Sequence, residues 1–259
     1  MYKTQTDVAL LLADAARKEI LKYFRKPLDI EDKADTSPVT RADKNSERVM
    51  RDLLRGHFPN HGIVGEEYGR ENENAEFVWV LDPIDGTKSF IAGVPLFGTL
   101  IALLHNGKPV VGVIDQPYTK ERWVGVVGRQ TTLNGKKIHT RPCSDLNQAV
   151  LFSTADKTMF ADNEDKRRFD ALCARTKIAR FSTDCYGYGL LSAGCGDIVC
   201  EADLKLYDYA ALWPVVCGAG GVMTDWNGED LFDGRDSGGR VLALGDKRLL
   251  KQAVEVLQK

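Results

Sequence analysis

From Val8 to Phe24 the apolar residues Val8, Leu11, Leu12, Ala15, Ala16, Ile20, Tyr23 and Phe24 recur at the spacing of one helical face, and Pro27 closes the run. This pattern predicts an amphipathic helix. A polar stretch from Asp29 to Pro38 follows, and then Val49, Met50, Leu53 and Leu54 repeat the period, so a second helix is expected over 46–54, ending at Gly56. The period next changes to that of strands over 77–81, 96–104, 110–114 and 123–127. These segments are rich in β-branched and aromatic residues, and Asn106-Gly107 marks a turn between two of them. A meandering, largely antiparallel sheet is expected.

From about residue 145 strands and helices alternate: a strand over 149–153, a helix over 164–175, a strand near 178–181, a helix near 187–195 and a strand over 197–200. A helix is expected over 208–219, stopped by Gly220-Gly221, then strands at 222–224 and 241–244 and a last helix over 247–257. The change of grammar suggests two subdomains, 1–142 of α+β type and 143–259 of α/β type. No internal repeat or low-complexity tract interrupts them.

With 259 residues, 43% hydrophobic and 28% charged, the chain has enough apolar material for a sizeable core. Lys and Arg number 35 against 37 Asp and Glu, a formal net charge of −2, so there is no basic field of the kind that binds nucleic acid. The longest apolar run, Val94 to Leu104, is broken by Gly98-Thr99 and is shorter than the roughly 20 residues of a membrane span. The N-terminus carries no secretory pattern, and a cytoplasmic location is expected. Six cysteines show no C-x-x-C pairing and read as small core residues, and the four histidines form no metal-ligand pattern.

The most informative segment is Leu81-Asp82-Pro83-Ile84-Asp85-Gly86-Thr87, directly after a predicted strand. Pro83 fixes its own φ and biases the residue before it toward extended backbone, so Asp82 and Asp85 can lie on one side of a tight turn with the Ile84 carbonyl between them. An oxygen cluster of this kind suits Mg²⁺. Gly86 permits close backbone approach, and Thr87 can open a short helix whose amides would receive phosphate. Taken alone, an Asp-Pro-x-Asp-Gly sequence is more often only a turn. The context adds Gly65-Glu66-Glu67 upstream, and the acids Asp43 and Asp208 near the starts of predicted helices, where either could be a simple N-cap.

These pieces together resemble the inositol monophosphatase-like family of magnesium-dependent phosphatases over nearly the whole chain. The matched motifs are Pro38-Val39-Thr40 with Asp43, Gly65-Glu66-Glu67, Trp79 to Thr87, and Asp208 with Ala210-Ala211 and Gly218 to Gly221. Tyr207 stands where many relatives have Trp, a swap that keeps an aromatic packing group. The resemblance implies an α/β fold layered α-β-α-β-α, a homodimer, and two to three Mg²⁺ ions per active site. It implies that Glu66, Asp82 and the Ile84 carbonyl hold one ion, and Asp82, Asp85 and Asp208 a second. It further implies that Thr87, polarised by Asp43, acts with Glu66 to orient the attacking water, and that the Gly86 and Thr87 amides cradle the phosphate. Glu67 would act by steering ligands. The N-terminal subdomain would carry metal and phosphate, and the C-terminal one the rest of the substrate.

Within the family, Asp85 to Ile91, Pro95 to Leu103 and Gln116-Pro117 with Glu121-Arg122-Trp123 look like the histidinol-phosphate phosphatase branch, whereas relatives acting on inositol more often carry Thr-Asn in place of Lys88-Ser89. Asp184 would sit in a loop facing the leaving group, and Glu201, seven residues before Asp208, matches a substrate-contact position. Two carboxylates beyond the metal acids suit the cationic amine and imidazole of L-histidinol better than a neutral polyol, unless Asp184 only caps the following helix. The expected activity is hydrolysis of L-histidinol phosphate, with inositol monophosphate or a related sugar or nucleotide phosphate as the alternative. A non-catalytic metal-binding regulator is the reading of another class; Thr87 and Asp43 beside the metal acids argue against it.

Overall fold

The computed structural model describes residues 2–27, 30–32, 38–154, 159–160 and 162–259. The first half runs α1 (Lys3–Ile20), β1 (Ile30–Asp32), β2 (Pro38–Thr40), α2 (Arg41–His57), β3 (Gly62–Gly65), β4 (Gly69–Glu71), β5 (Phe77–Asp85), α3 (Thr87–Ile91), β6 (Gly98–His105), β7 (Lys108–Gln116), β8 (Glu121–Val126), β9 (Thr132–Leu133) and β10 (Lys136–Lys137). The second half runs β11 (Val150–Phe152), α4 (Asn163–Cys173), β12 (Ile178–Arg180), α5 (Asp184–Ser192), β13 (Ile198–Glu201), α6 (Leu206–Tyr209), α7 (Leu212–Gly218), β14 (Val222–Thr224), β15 (Val241–Leu244) and α8 (Leu250–Leu257).

Alternation along the strands builds five layers. Along β5, Trp79 and Leu81 face the apolar stripe of α1 and α2, where Leu12, Ala16, Ile20 and Met50 are buried. Val78 and Val80 face the other way, with Leu100, Ile114 and Trp123, onto a middle helical layer of α5, α6 and α7. The same middle core continues to Val199, Met223, Val241 and Ala243 on the second sheet. The far face of that sheet, with Leu151, Ile198 and Leu242, is covered by Phe169 and Leu172 of α4 and Ala253 and Leu257 of α8. The expected α-β-α-β-α layering is therefore present.

The eight-stranded sheet has the order β10-β9-β8-β7-β6-β5-β3-β4, and its pairs are antiparallel except β3 with β5. The five-stranded sheet, β12-β11-β13-β15-β14, is parallel through β13 and antiparallel beyond it. Strands β3, β4, β9 and β10 are two to four residues long, too short to carry a period, and were not expected. The helix expected over 208–219 is two, α6 and α7. Pro214 explains the break: in a continuous helix its ring would meet the carbonyl of Ala210, but in the first turn of α7 its missing N–H costs nothing.

Candidate active site

The tight turn expected at Asp82 to Asp85 is the bulged end of a strand. Asp82 pairs with Leu100 and Asp85 with Gly98, so three steps on β5 answer two on β6. Side chains three apart on a regular strand point to opposite faces, and the one-residue bulge turns both carboxylates to the same side. Pro83 sits within the bulge, where no ladder donor is needed, and its carbonyl accepts from the Thr99 hydroxyl at 2.8 Å. Carboxylate oxygens of Asp82, Asp85 and Asp208 come within 4.8 Å of one another.

Asp208 reaches this cluster because α6 and α7 lie against the sheet with almost no gap. Gly112 and Gly125 are register partners on β7 and β8. A Cβ on Gly112 would stand 2.1 Å from the Ala211 carbonyl oxygen, and one on Gly125 2.3 Å from the Pro214 backbone. The bare backbone at these two positions admits the helices. On the other side, α2 anchors the Glu66 loop: the buried Glu47 carboxylate accepts the amides of Glu67 at 2.7 Å and Tyr68 at 3.2 Å, and is itself held by Arg51 at 2.8 Å. Glu47 and Arg51 were not singled out from the sequence. Their four-residue spacing on one helix face was the available signal.

The electrostatics call for cations. Burial pushes the Asp82 carboxyl well above the usual range, and Glu66, Asp85 and Asp208 push it further. Asp85 is likewise raised by burial and by the Asp184 and Asp208 charges, and Asp208 is raised to about 8. Asp82 Oδ1 is buried with no hydrogen-bond partner among the described residues. An all-oxygen set with a stranded buried acceptor and crowded negative charge fits a hard divalent ion such as Mg²⁺. Among the described residues the clustered donors are carboxylates alone.

Asp43 is not an N-cap. Thr40 caps α2, and Asp43, three residues on, accepts the Thr40 amide at 2.8 Å and its hydroxyl at 2.5 Å in a capping box. Burial raises the Asp43 carboxyl to about 6, and its Oδ1 has no hydrogen-bond partner among the described residues. The Thr87–Asp43 hydrogen bond implied by resemblance is not formed; the Thr87 hydroxyl donates instead to the Ile84 carbonyl at 3.1 Å. Asp208 is also the third residue of its helix, its Oδ2 accepting the Lys205 amide at 2.6 Å, which fixes the carboxylate toward the cluster.

A cleft of about 240 Å³ opens beside these acids, lined by Glu66, Asp85, Gly86, Thr87, Asp184 and Glu201 among others. Asp184 is the first residue of α5 and does not cap it: Thr183 occupies the cap position. Its backbone is left-handed, φ 45°, a costly conformation for a residue with a side chain. The carboxylate accepts from Ser89 Oγ at 2.7 Å and packs onto Gly86, where a Cβ would come within 2.9 Å of Asp184 Cγ. Gly86 itself has φ 84°. Glu201 is buried and accepts the Thr154 amide and hydroxyl, both at 2.7 Å, and the Tyr188 hydroxyl at 2.9 Å. Burial holds its carboxyl at about 7 despite those donors. Ser89, Thr154 and Tyr188 were missed from sequence, because nothing local ties them to acids as many as 95 residues away.

Fold and site together define a hydrolase of small phosphate esters whose acids are disposed for metal. The sequence profile of the Inositol monophosphatase family matches residues 1–259, and the chain belongs to that family. "Bifunctional phosphatase IMPL2, chloroplastic" of Arabidopsis thaliana is 48% identical over 254 residues, covering 95% of this chain and 73% of its own length. A "Histidinol-phosphatase" of Chlorobaculum parvum is 34% identical over 229 residues, 88% of each chain. The solved structure of an inositol monophosphatase from Zymomonas mobilis superposes with a TM-score of 0.90 at 44% identity, covering 100% of this chain and 99% of that one. No helix among the described residues is long and apolar enough to cross a membrane.

Proposed function

We propose that this protein hydrolyses L-histidinol phosphate to L-histidinol and phosphate with Mg²⁺. The observation that carries the substrate is the acidic pair Asp184 and Glu201, lining the same cleft as Gly86 and Thr87 but outside the metal acids. A leaving group bearing an amine and an imidazole would complement them, and a neutral polyol would not. The relatives named histidinol-phosphatase point the same way.

Glu66, Asp82, Asp85 and Asp208 with the Ile84 carbonyl would hold two to three Mg²⁺ ions, which when bound neutralise phosphate charge and make water nucleophilic near neutral pH. The chain's own residues do the rest. Gly86 and Thr87 would receive the phosphate on their amides, with the Thr87 hydroxyl and the Glu66 carboxylate aligning the water that attacks phosphorus. Asp43 would support Thr87 once its unpartnered Oδ1 finds that hydroxyl. Attack breaks the phosphorus–oxygen bond to histidinol, and the alcohol departs with a proton from solvent, without a phosphoenzyme.

The inositol monophosphatase from Zymomonas mobilis, at 44% identity, supports a second reading, hydrolysis of inositol monophosphate. A panel of both esters with a small uncharged-leaving-group phosphate separates the two. Asp184→Asn is expected to lower kcat/KM for histidinol phosphate by roughly 10- to 150-fold, the loss of one charge-assisted hydrogen bond of about 1.5–3 kcal/mol, while sparing the small ester. Equal losses on both esters would assign Asp184 to the fold or the metals, and a wild-type preference for inositol phosphate would favour the second reading.

A further inference from the structure

A second cleft, of about 540 Å³, lies on the α1 face of the eight-stranded sheet and shares no lining residue with the catalytic one. Its apolar wall is Leu10 of α1 with Val124 and Val126 of β8, which alternate with the inward-facing Trp123. Four cations line it, Arg17, Lys120, Arg122 and Arg129, and no carboxylate does among the described residues.

Two of these cations are held rigidly. Asp115, fully buried beneath them, accepts from Arg17 Nε at 3.0 Å and Nη2 at 2.5 Å and from Arg122 Nε at 2.6 Å. Arg122 Nη2 also donates to Asp14 at 2.8 Å. Neither Nη1 takes part in a hydrogen bond among the described residues, so each guanidinium keeps donors to offer. Asp115 and Asp14 offset the charges of Arg17 and Arg122, and Lys120 stands outside these pairs and adds positive charge at the mouth. Fixed guanidinium forks lose little freedom on binding an anion, and the volume suits a small molecule.

We propose that this cleft is a binding site for a small organic anion, a sulfonate, phosphate or carboxylate carried on a flat apolar body, separate from the catalytic site. The anion sits on the Arg17 and Arg122 guanidiniums and near Lys120, and the apolar body lies on Leu10, Val124 and Val126.

Isothermal titration of the Mg²⁺-loaded protein with 1-naphthalenesulfonate, which cannot be hydrolysed as a phosphate ester, tests this. One-to-one binding is expected, at least about tenfold tighter than for the uncharged 1-naphthalenesulfonamide. Lys120→Glu, on an exposed turn that spares the buried ion pair, and Gln130→Glu on the rim should each weaken the sulfonate by about tenfold and leave phosphate release unchanged. Asp82→Asn should bind it as the wild type does. Equal affinity for the charged and uncharged probes, unchanged binding in both charge variants, or loss of binding in Asp82→Asn would each overturn the proposal.

Discussion

At the scale of single residues, the site depends on where negative charge is concentrated and on where a side chain is missing. Asp82 belongs to both implied ion sites and carries an unpartnered buried oxygen, so Asp82→Asn should drop phosphate release below about a tenth of wild type while the protein still folds. Retention of more than that in the purified, folded variant would refute the metal assignment. Gly86 is needed for two reasons, its φ of 84° and the Asp184 carboxylate lying where a Cβ would go. Gly86→Ala should therefore cost about 1 kcal/mol or more in backbone strain and at least about tenfold in kcat/KM, as Asp184 is displaced. Steady-state kinetics beside a thermal melt would separate the two effects; unaltered kinetics would show that the contact is dispensable.

At the scale of elements, three pieces bring distant acids together: the bulge in β5, the Glu47 anchor on α2, and the Gly112–Gly125 step that lets α6 and α7 settle on the sheet. An alanine at Gly112 meets the Ala211 backbone and cannot be relieved by rotating a side chain. Overpacking of this kind costs ~2 kcal/mol, or about 4–8 °C in Tm for a chain of this size. Because α6 carries Asp208, the same substitution should also lower phosphate release, and a stable, fully active Gly112→Ala would show that α6 is positioned otherwise. Much of this level was legible in sequence. The helices over 8–24 and 46–54 announced themselves by period and appear as α1, which begins earlier and stops at Ile20, and α2, which is longer at both ends. The bulge was not legible, since it exists only in the pairing of β5 with β6.

At the scale of the whole molecule, five layers bury an acidic cluster that ordinary folding would avoid, and pH should reveal this. Folded-state carboxyls held above their ordinary range, Glu201 at about 7 and Asp208 at about 8, bind protons more tightly than in the unfolded chain. Without metal, their contribution to stability is full below the ordinary carboxylate range and is lost as pH rises through those values. In chelator, Tm should fall between about pH 5 and about pH 8.5, and Mg²⁺ should raise it much more at the higher pH, where ions no longer compete with protons. An equal rise at both pH values would mean that the ions bind elsewhere. Chelator should also abolish phosphate release, and Mg²⁺ restore it.

The sequence by itself determined the succession of helices and strands and the acidic turn with its proline and glycine, because periodicity and turn chemistry are local, and its motifs in order along the chain carried the family resemblance that implied the layering and the grouping of Asp82, Asp85 and Asp208. Tertiary structure decided the rest. That Thr87 donates to the nearby Ile84 carbonyl depends on how the turn is held, and that Asp184 opens α5 in a left-handed conformation against Gly86 and that Thr154 pins Glu201 depend on contacts between segments far apart in sequence. So does the Asp115 ion pair, in which an N-terminal arginine meets an acid 98 residues later. Such contacts are settled by how closely the layers pack and by which buried polar atoms must find partners, and neither requirement is visible before the chain has folded.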